Sequence, residues 1–296
     1  MRRRSLLIGG GVLAALAACA EKPTLADPVM PMPPVEDRLA ALEHRFGAFV
    51  GVYAENLDTG RSVAHRADDP FAMCSTFKAY AGGRVLQKAA AGELNLTDAV
   101  TIDRSDILPY SPVTETRVDQ TMTIEELCVA AVQLSDNAAA NWLLRIIGGP
   151  SRITDFVRTL GDDRTRLDRW EPELNSAIPG DLRDTSTPRA IGSGFRAMLT
   201  GEALGAPQRR TLDEWLRGNE TSSMRAGLPP GWTTADKTGS GDYATANDVG
   251  IAYGPDGQRL LLAFMTRTQS DDPDAATLRP LVGELATVVV PYVTGG

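Results

Sequence analysis

The chain has 296 residues, 43% hydrophobic, 23% charged and 6% aromatic, which is apolar material enough for one large core or two modest ones and excludes a disordered polymer. Its 30 Lys and Arg against 38 Asp and Glu leave a net charge of −8, the wrong sign for holding a phosphate backbone, so nucleic acid is not expected as a partner. The three Cys (Cys19, Cys74, Cys128) and two His (His44, His65) show no ligand spacing, so neither a structural metal nor any other cofactor is expected.

In chain order, Arg2-Arg3-Arg4, an apolar run from Leu6 to Ala18 interrupted only by Gly, and a small-residue site at Cys19 read as the parts of an export signal, residues 1–18. That run is shorter than the roughly 20 residues a membrane-spanning helix needs, so a polytopic membrane protein is not expected. Leu16-Ala17-Ala18-Cys19 resembles a lipobox, in which the Cys is acylated and becomes the new N-terminus. Arg3-Arg4-Ser5-Leu6-Leu7 resembles a twin-arginine signal, implying export after folding to the periplasm or cell envelope. Cleavage would remove three positive charges and leave a more acidic protein. Residues 19–34 carry five prolines and read as an extended tether.

Val35, Leu39, Leu42 and Phe46 recur at helical spacing and predict an amphipathic helix over 35–46. A strand over 49–54, turn chemistry at Asn56 to Gly60 and a return strand over 61–66 predict a hairpin. From 70 to 216 the pattern is helical, with helices at 76–91, 123–134, 137–147, 151–160 and 187–200 and no obvious strands. Strands return at 233–237, 248–253 and 260–266, the last two joined by Gly254-Pro255-Asp256-Gly257, and a final helix is predicted over 274–290. Strands at both ends and helices between predict an α/β fold of the α+β type: one antiparallel sheet from residues 35–66 and 217–296, flanked by terminal helices, with an all-helical subdomain, 67–216, inserted in it. Cys74 and Cys128 fall in different predicted helices and are expected to be reduced and packed as small hydrophobes.

Ser75 and Lys78 lie one turn apart at a helix start, where a Lys of lowered pKa could take the proton that makes a serine nucleophilic and free backbone N–H groups could hold an oxyanion. Ser135-Asp136-Asn137 sits between two helices, where Asp136 also fits a plain N-cap. Lys237-Thr238-Gly239 lies on a strand, followed by Ser240 and Gly241. Each is common alone. In this order they resemble the three motifs of the penicillin-recognising serine enzymes, and Arg169-Trp170-Glu171-Pro172-Glu173-Leu174-Asn175 resembles the Ω-loop of class A β-lactamases, here residues 166–184.

The resemblance runs from about Glu43 to the last helix and implies a β-lactamase/transpeptidase-like fold and β-lactam hydrolysis conferring resistance. It implies Ser75 as nucleophile, Lys78 and Glu171 sharing the base role, and Ser135 passing a proton to the leaving nitrogen. The backbone N–H groups of Ser75 and Ser240 are the implied oxyanion hole. Lys237, Thr238, Gly239 and Ser240 would bind the substrate carboxylate, Asn137 its acylamino chain, and Asn175 with Glu171 the deacylating water. Tyr110 occupies the place of an aromatic gate, Asp184 is the expected partner of Arg169, and a cis bond is implied before Pro172. The stretch from Thr238 to Tyr243 is similar to enzymes that accept bulky cephalosporins. A disulfide from Cys74 is not expected, because no Cys follows Lys237-Thr238-Gly239. A second carboxylate anchor has two candidates, Arg225 and Arg267, neither falling cleanly on the family position. A small-molecule β-lactam is the implied partner of a monomer whose membrane link, if any, is the Cys19 lipid. Two alternatives stand beside this reading: a D-Ala-D-Ala peptidase or transpeptidase, which leaves Glu171 and Asn175 unexplained, and a non-catalytic envelope lipoprotein.

Overall fold

The computed structural model describes residues 33–295. The export signal, Cys19 and nearly all of the expected tether therefore lie outside the described residues.

Helix α1, Val35–Phe46, carries acidic residues in its first turn and His44 and Arg45 in its last, and it buries Val35, Leu39 and Leu42. Strand β1, Ala48–Asn56, turns back into β2, Ser62–His65, because the Asn56 side chain accepts hydrogen bonds from the N–H groups of Asp58 (3.0 Å) and Thr59 (3.1 Å). The remaining strands of this sheet come from the far end of the chain: β7, Thr233–Ser240, β8, Ala246–Tyr253, and β9, Arg259–Thr268. The order is β2-β1-β9-β8-β7, antiparallel throughout, and Ala48 to Asn56 pair with Thr268 to Leu260.

Both faces of the sheet are covered, which explains near-continuous apolar strands in an antiparallel sheet. Along β9 the side chains alternate: Leu260, Leu262 and Phe264 pack with α1 and the last helix, α8 (Arg279–Thr294), while Leu261, Ala263 and Met265 pack with the inserted helices. Each fully buried Leu or Phe on either face contributes about 1.5–3 kcal/mol.

The inserted helices are α2 (Phe77–Ala90), α3 (Ile124–Gln133), α4 (Asn137–Ile147), α5 (Ser151–Thr159), α6 (Pro188–Leu199) and α7 (Ala206–Arg217). α2 runs through the middle of them, with Tyr80 making edge-on ring contacts to Phe156 (6.5 Å) and Phe195 (5.7 Å).

Several boundaries differ from the sequence reading. α7 was not expected. The helical block also holds two small ladders: β3 (Phe71–Ala72) with β6 (Thr185–Ser186), and β4 (Ala99–Thr101) with β5 (Thr121–Thr123). They are too short to show an alternating pattern, and the β3–β6 pair closes one end of the Ω-loop. The last helix starts at Arg279 rather than Asp274, because Asp272 accepts from the N–H groups of Asp274 (3.0 Å) and Ala275 (3.3 Å) and holds that stretch as a turn. Cys74 lies on a short 3₁₀ turn, Cys74–Thr76, ahead of α2, and both it and Cys128 are buried free thiols.

Candidate active site

The chain enters the site on the Cys74–Thr76 turn. Asn247 on β8 donates to the carbonyls of Ala72 (2.8 Å) and Met73 (3.1 Å), and the Thr76 hydroxyl donates to the Met73 carbonyl (2.8 Å), so the segment before Ser75 is held from two sides. Burial pushes the Cys74 thiol up, leaving it protonated and inert beside Ser75. One helical turn on, Lys78 Nζ is 2.9 Å from Ser75 Oγ.

Lys78 is fully buried and richly partnered: Asn137 Oδ1 at 2.7 Å, the Ser135 carbonyl at 2.8 Å, Ser135 Oγ at 3.4 Å and Glu171 Oε1 at 3.0 Å. Burial lowers its pKa, and the Glu171 carboxylate opposes that shift. Ser135 reaches Lys78 from a left-handed backbone (φ 61°), a strained state for a non-glycine residue of the kind found at functional sites. Asp136 does more than cap α4. Its carboxylate accepts from the N–H of Ala139, and also from the N–H groups of Val113 and Thr114, all at 2.9 Å, and so ties the Tyr110 loop to the site. The Asn137 amide donates to the Pro109 carbonyl (2.9 Å) and keeps a second N–H.

The Ω-loop brings Glu171 to the same point, with Oε1 3.4 Å from Ser75 Oγ, and Asn175 donates to its other oxygen. The loop is cinched by Asp184, which is fully buried, pairs with Arg169 Nε at 2.5 Å and accepts from the N–H groups of Asp168 and Arg169. The Glu171–Pro172 peptide is cis, as the resemblance implied. The sequence reading missed Asn141. From α4 it donates to the Glu171 carbonyl (2.9 Å) and accepts from the Glu171 N–H (3.0 Å), so the peptide of the key carboxylate is clamped. Its spacing of four from Asn137 puts both on one helix face and was the available signal.

Strand β7 supplies the opposite wall. Lys237, fully buried, donates to Ser135 Oγ (3.1 Å) and the Thr238 carbonyl (3.0 Å), and burial together with nearby Lys78 lowers its pKa to about 7. The strand lies so close to the Cys74–Thr76 turn that a Cβ on Gly239 would fall 2.4 Å from the Met73 carbonyl oxygen, and just beyond the strand one on Gly241 would fall 2.4 Å from the carbonyl oxygen of Asn175 in the Ω-loop. Between these walls lies a cavity of about 160 Å³ lined by Ser75, Tyr110, Ser135, Asn137, Asn175, Thr238, Gly239 and Ser240, with Thr221 and Arg279 in addition. Tyr110 stands at its mouth, 58% exposed.

Neither candidate for a second carboxylate anchor lines this cavity. Arg225 is engaged elsewhere, by Thr234 Oγ1 (2.6 Å), the Asn219 carbonyl (2.6 Å) and Asp236 (3.1 Å), and Arg267 lines a different cavity. Arg279 does line it, its guanidinium 3.5 Å from Ser240 Oγ. The sequence reading missed it because it started the last helix five residues too early and so placed Arg279 inside a helix. Among the described residues no cluster of His, Cys, Asp and Glu is arranged to hold a metal.

Residues 34–290 match the model of the beta-lactamase enzyme family. The chain is 44% identical to Beta-lactamase AST-1 of Nocardia asteroides over 94% of this chain and 93% of that one. It is 45% identical to Beta-lactamase CTX-M-25 of Escherichia coli (86% and 88%) and 43% identical to a carbapenem-hydrolyzing beta-lactamase KPC of Klebsiella oxytoca (80% and 82%). A crystal structure of a β-lactamase from Desulfarculus baarsii superposes with a TM-score of 0.85 at 43% identity, covering 88% of this chain and 97% of that one. A mutant of the class A β-lactamase of the last common ancestor of Gram-negative bacteria superposes with 0.84 at 42% identity, covering 88% and 99%. With a serine, two buried lysines and a loop-borne glutamate brought together in one cleft, and with relatives alike over nearly their whole length, the chain belongs to the beta-lactamase enzyme family as a class A serine β-lactamase, a hydrolase of β-lactams that confers resistance to them.

Proposed function

We propose that the protein opens the lactam ring of penicillins and cephalosporins through an ester on Ser75 that water then hydrolyses. The observation that carries this reading is the Glu171 carboxylate, 3.4 Å from Ser75 Oγ and 3.0 Å from Lys78 Nζ, presented by a loop that is clamped at its neck. Lys78, its pKa lowered by burial, shares with Glu171 the removal of the Ser75 proton as Oγ bonds to the carbonyl carbon. The N–H groups of Ser75 and Ser240 hold the resulting oxyanion. As the C–N bond breaks, the nitrogen takes the Ser135 hydroxyl proton, which Lys237 and Lys78, both within hydrogen-bonding distance of Ser135 Oγ, replace. Glu171, oriented by Asn175, then takes a proton from the attacking water, and Ser75 Oγ leaves with a proton returned to it. Lys237, Thr238, Ser240 and Arg279 hold the substrate carboxylate, Asn137 the acylamino group, and Tyr110 flanks the mouth.

The test is to mix the protein with benzylpenicillin and follow turnover alongside intact mass. Continuous turnover with a fleeting Ser75 adduct is expected for the wild type and a persistent adduct for Glu171→Gln. Wild-type turnover by Glu171→Gln would refute the assigned roles, whereas a stable adduct on the unmutated protein would favour the peptidase reading. We propose also that the two-lobed division at residues 67 and 216 holds, with the site in its cleft. The same proposal takes the protein as a monomer exported through its N-terminal signal and held at the cell envelope by a lipid on Cys19.

A further inference from the structure

A second cavity, of about 240 Å³, shares no lining residue with the first and lies between the Ω-loop residues Ala177 to Leu182 and the adjoining ends of β1 and β9, at Phe49, Thr266 and Arg267. Its walls combine two kinds of surface. Phe49, Phe71, Ile178 and Leu182 are apolar, and Ile178 and Leu182 are two of only four large hydrophobic side chains exposed among the described residues, at 47% and 56%. Arg66 and Arg267 are cationic, and their guanidinium carbons stand 5.3 and 4.2 Å from the centre of the Phe49 ring.

The two arginines differ in what holds them. Arg66 is paired with Glu43 at 2.7 Å and Asp69 at 3.6 Å. Asp181, the other carboxylate on the wall, is paired with Arg183 at 2.6 Å. Arg267 is half-buried and bonds only to the Thr268 carbonyl (3.3 Å). No carboxylate among the described residues pairs with it, and both burial and the neighbouring Arg66 disfavour its charge. The hydroxyl of Thr245, a buried residue of the same wall, makes no hydrogen bond among the described residues. A partly desolvated cation without a counter-ion is a cost that an anionic oxygen would remove.

We propose that this cavity is a second ligand site, taking a small monoanion with an aromatic body, an arylcarboxylate. The carboxylate bonds to Arg267, and the ring lies between Phe49, Phe71, Ile178 and Leu182. Ala177 to Leu182 follow directly on the turn that carries Asn175, so a ligand joining β9 to this stretch restrains the loop and alters kcat rather than KM. That coupling rests on the proposed function, whereas binding does not.

The test titrates the purified protein calorimetrically with 1-naphthoate, with 1-naphthalenemethanol as the uncharged control. A dissociation constant of about 1 mM or tighter is expected, and binding about tenfold weaker or more for the alcohol and for Arg267→Met. Leu182→Asp, at a position 56% exposed, places a carboxylate at the rim and weakens binding similarly, with its melting temperature measured alongside. Lys237→Ala, which strips an anion-binding group from the catalytic cavity, leaves it unchanged. Binding that survives Arg267→Met, or is lost in Lys237→Ala, overturns the site, as does the absence of heat at concentrations well above 1 mM. Binding that obeys these variants but leaves the kcat for nitrocefin untouched overturns the coupling and keeps the site, and a protein inactive on nitrocefin that still binds 1-naphthoate separates the fate of this site from that of the proposed function.

Discussion

Replacing Asn141 with Leu tests whether Glu171 works only because its peptide is clamped. Asn141 is 8% exposed and gives Glu171 two hydrogen bonds, at 2.9 and 3.0 Å, one to each end of its backbone. Leucine fills nearly the same volume but leaves the Glu171 N–H and C=O buried without partners, at about 1–3 kcal/mol each, so stability falls by about 2–6 kcal/mol. At this chain size each kcal/mol lowers the melting temperature by about 2 °C, so a drop of about 4–12 °C follows. Asn141 makes no hydrogen bond to Ser75, Lys78 or Ser135 among the described residues, so ester formation proceeds. The Glu171 carboxylate loses its registration to the water, and a displacement of about 1 Å costs on the order of a hundredfold in rate. Quenched mixtures with benzylpenicillin, read by intact mass, therefore show a lasting Ser75 adduct. Asn141→Asp keeps an acceptor for the Glu171 N–H but sets a carboxylate oxygen against the Glu171 carbonyl at a buried site, so it too is less stable than wild type. An Asn141→Leu protein with a lowered melting temperature but wild-type kcat and no lasting adduct would refute the argument.

Lys237 must be charged to hold a carboxylate, and its pKa of about 7 in the free enzyme means that KM for anionic β-lactams rises as pH increases from 6 to 9, with Lys237→Arg flattening the profile. The same shift has a stability consequence: above pH 7 the folded protein binds fewer protons at this site than the unfolded chain, so wild-type stability gains on that of Lys237→Met between about pH 7 and 10, and chemical denaturation across that range checks the slope. Arg279→Ala raises KM severalfold with little effect on the melting temperature. Arg225→Ala removes a pairing with buried Asp236 at 3.1 Å and does the reverse.

Much of this was readable because the informative residues sit on strongly patterned elements. Ser75-x-x-Lys78 and Lys237-Thr238-Gly239 lie at the start of a helix and on a strand that periodicity alone identifies, and Asp136 announces the α4 start. What escaped has physical reasons. Helix α7 buries only Leu212, Trp215 and Leu216 among charged neighbours, so its stripe is thin, and β3 and β6 are two residues long. Asn141 and Asn247 are polar side chains facing inward, and one-dimensional pattern treats an inward Asn as noise unless the group it serves is known. Arg279 was hidden by an error of five residues in a helix boundary, enough to turn a cavity-lining cation into an anonymous helical one.

The electrostatics of the cleft follow from one crowding. Lys78 and Lys237 are both without exposed surface, and both reach Ser135 Oγ, at 3.4 and 3.1 Å. Two desolvated ammonium groups on one hydroxyl repel, and Lys78 adds to burial in lowering Lys237's hold on a proton. The nearby acids relieve this unevenly. Glu171 lies 3.0 Å from Lys78, whereas no carboxylate among the described residues pairs directly with Lys237, and the carboxyl of nearby buried Asp248 is pushed up by burial and by Asp236. The cleft is thus short of counter-charge on the Lys237 side, which is where an anionic substrate would supply it. An acidic chain can hold an anion there because the local sign is set by which lysines are buried and where their counter-charges lie, not by the net charge of −8.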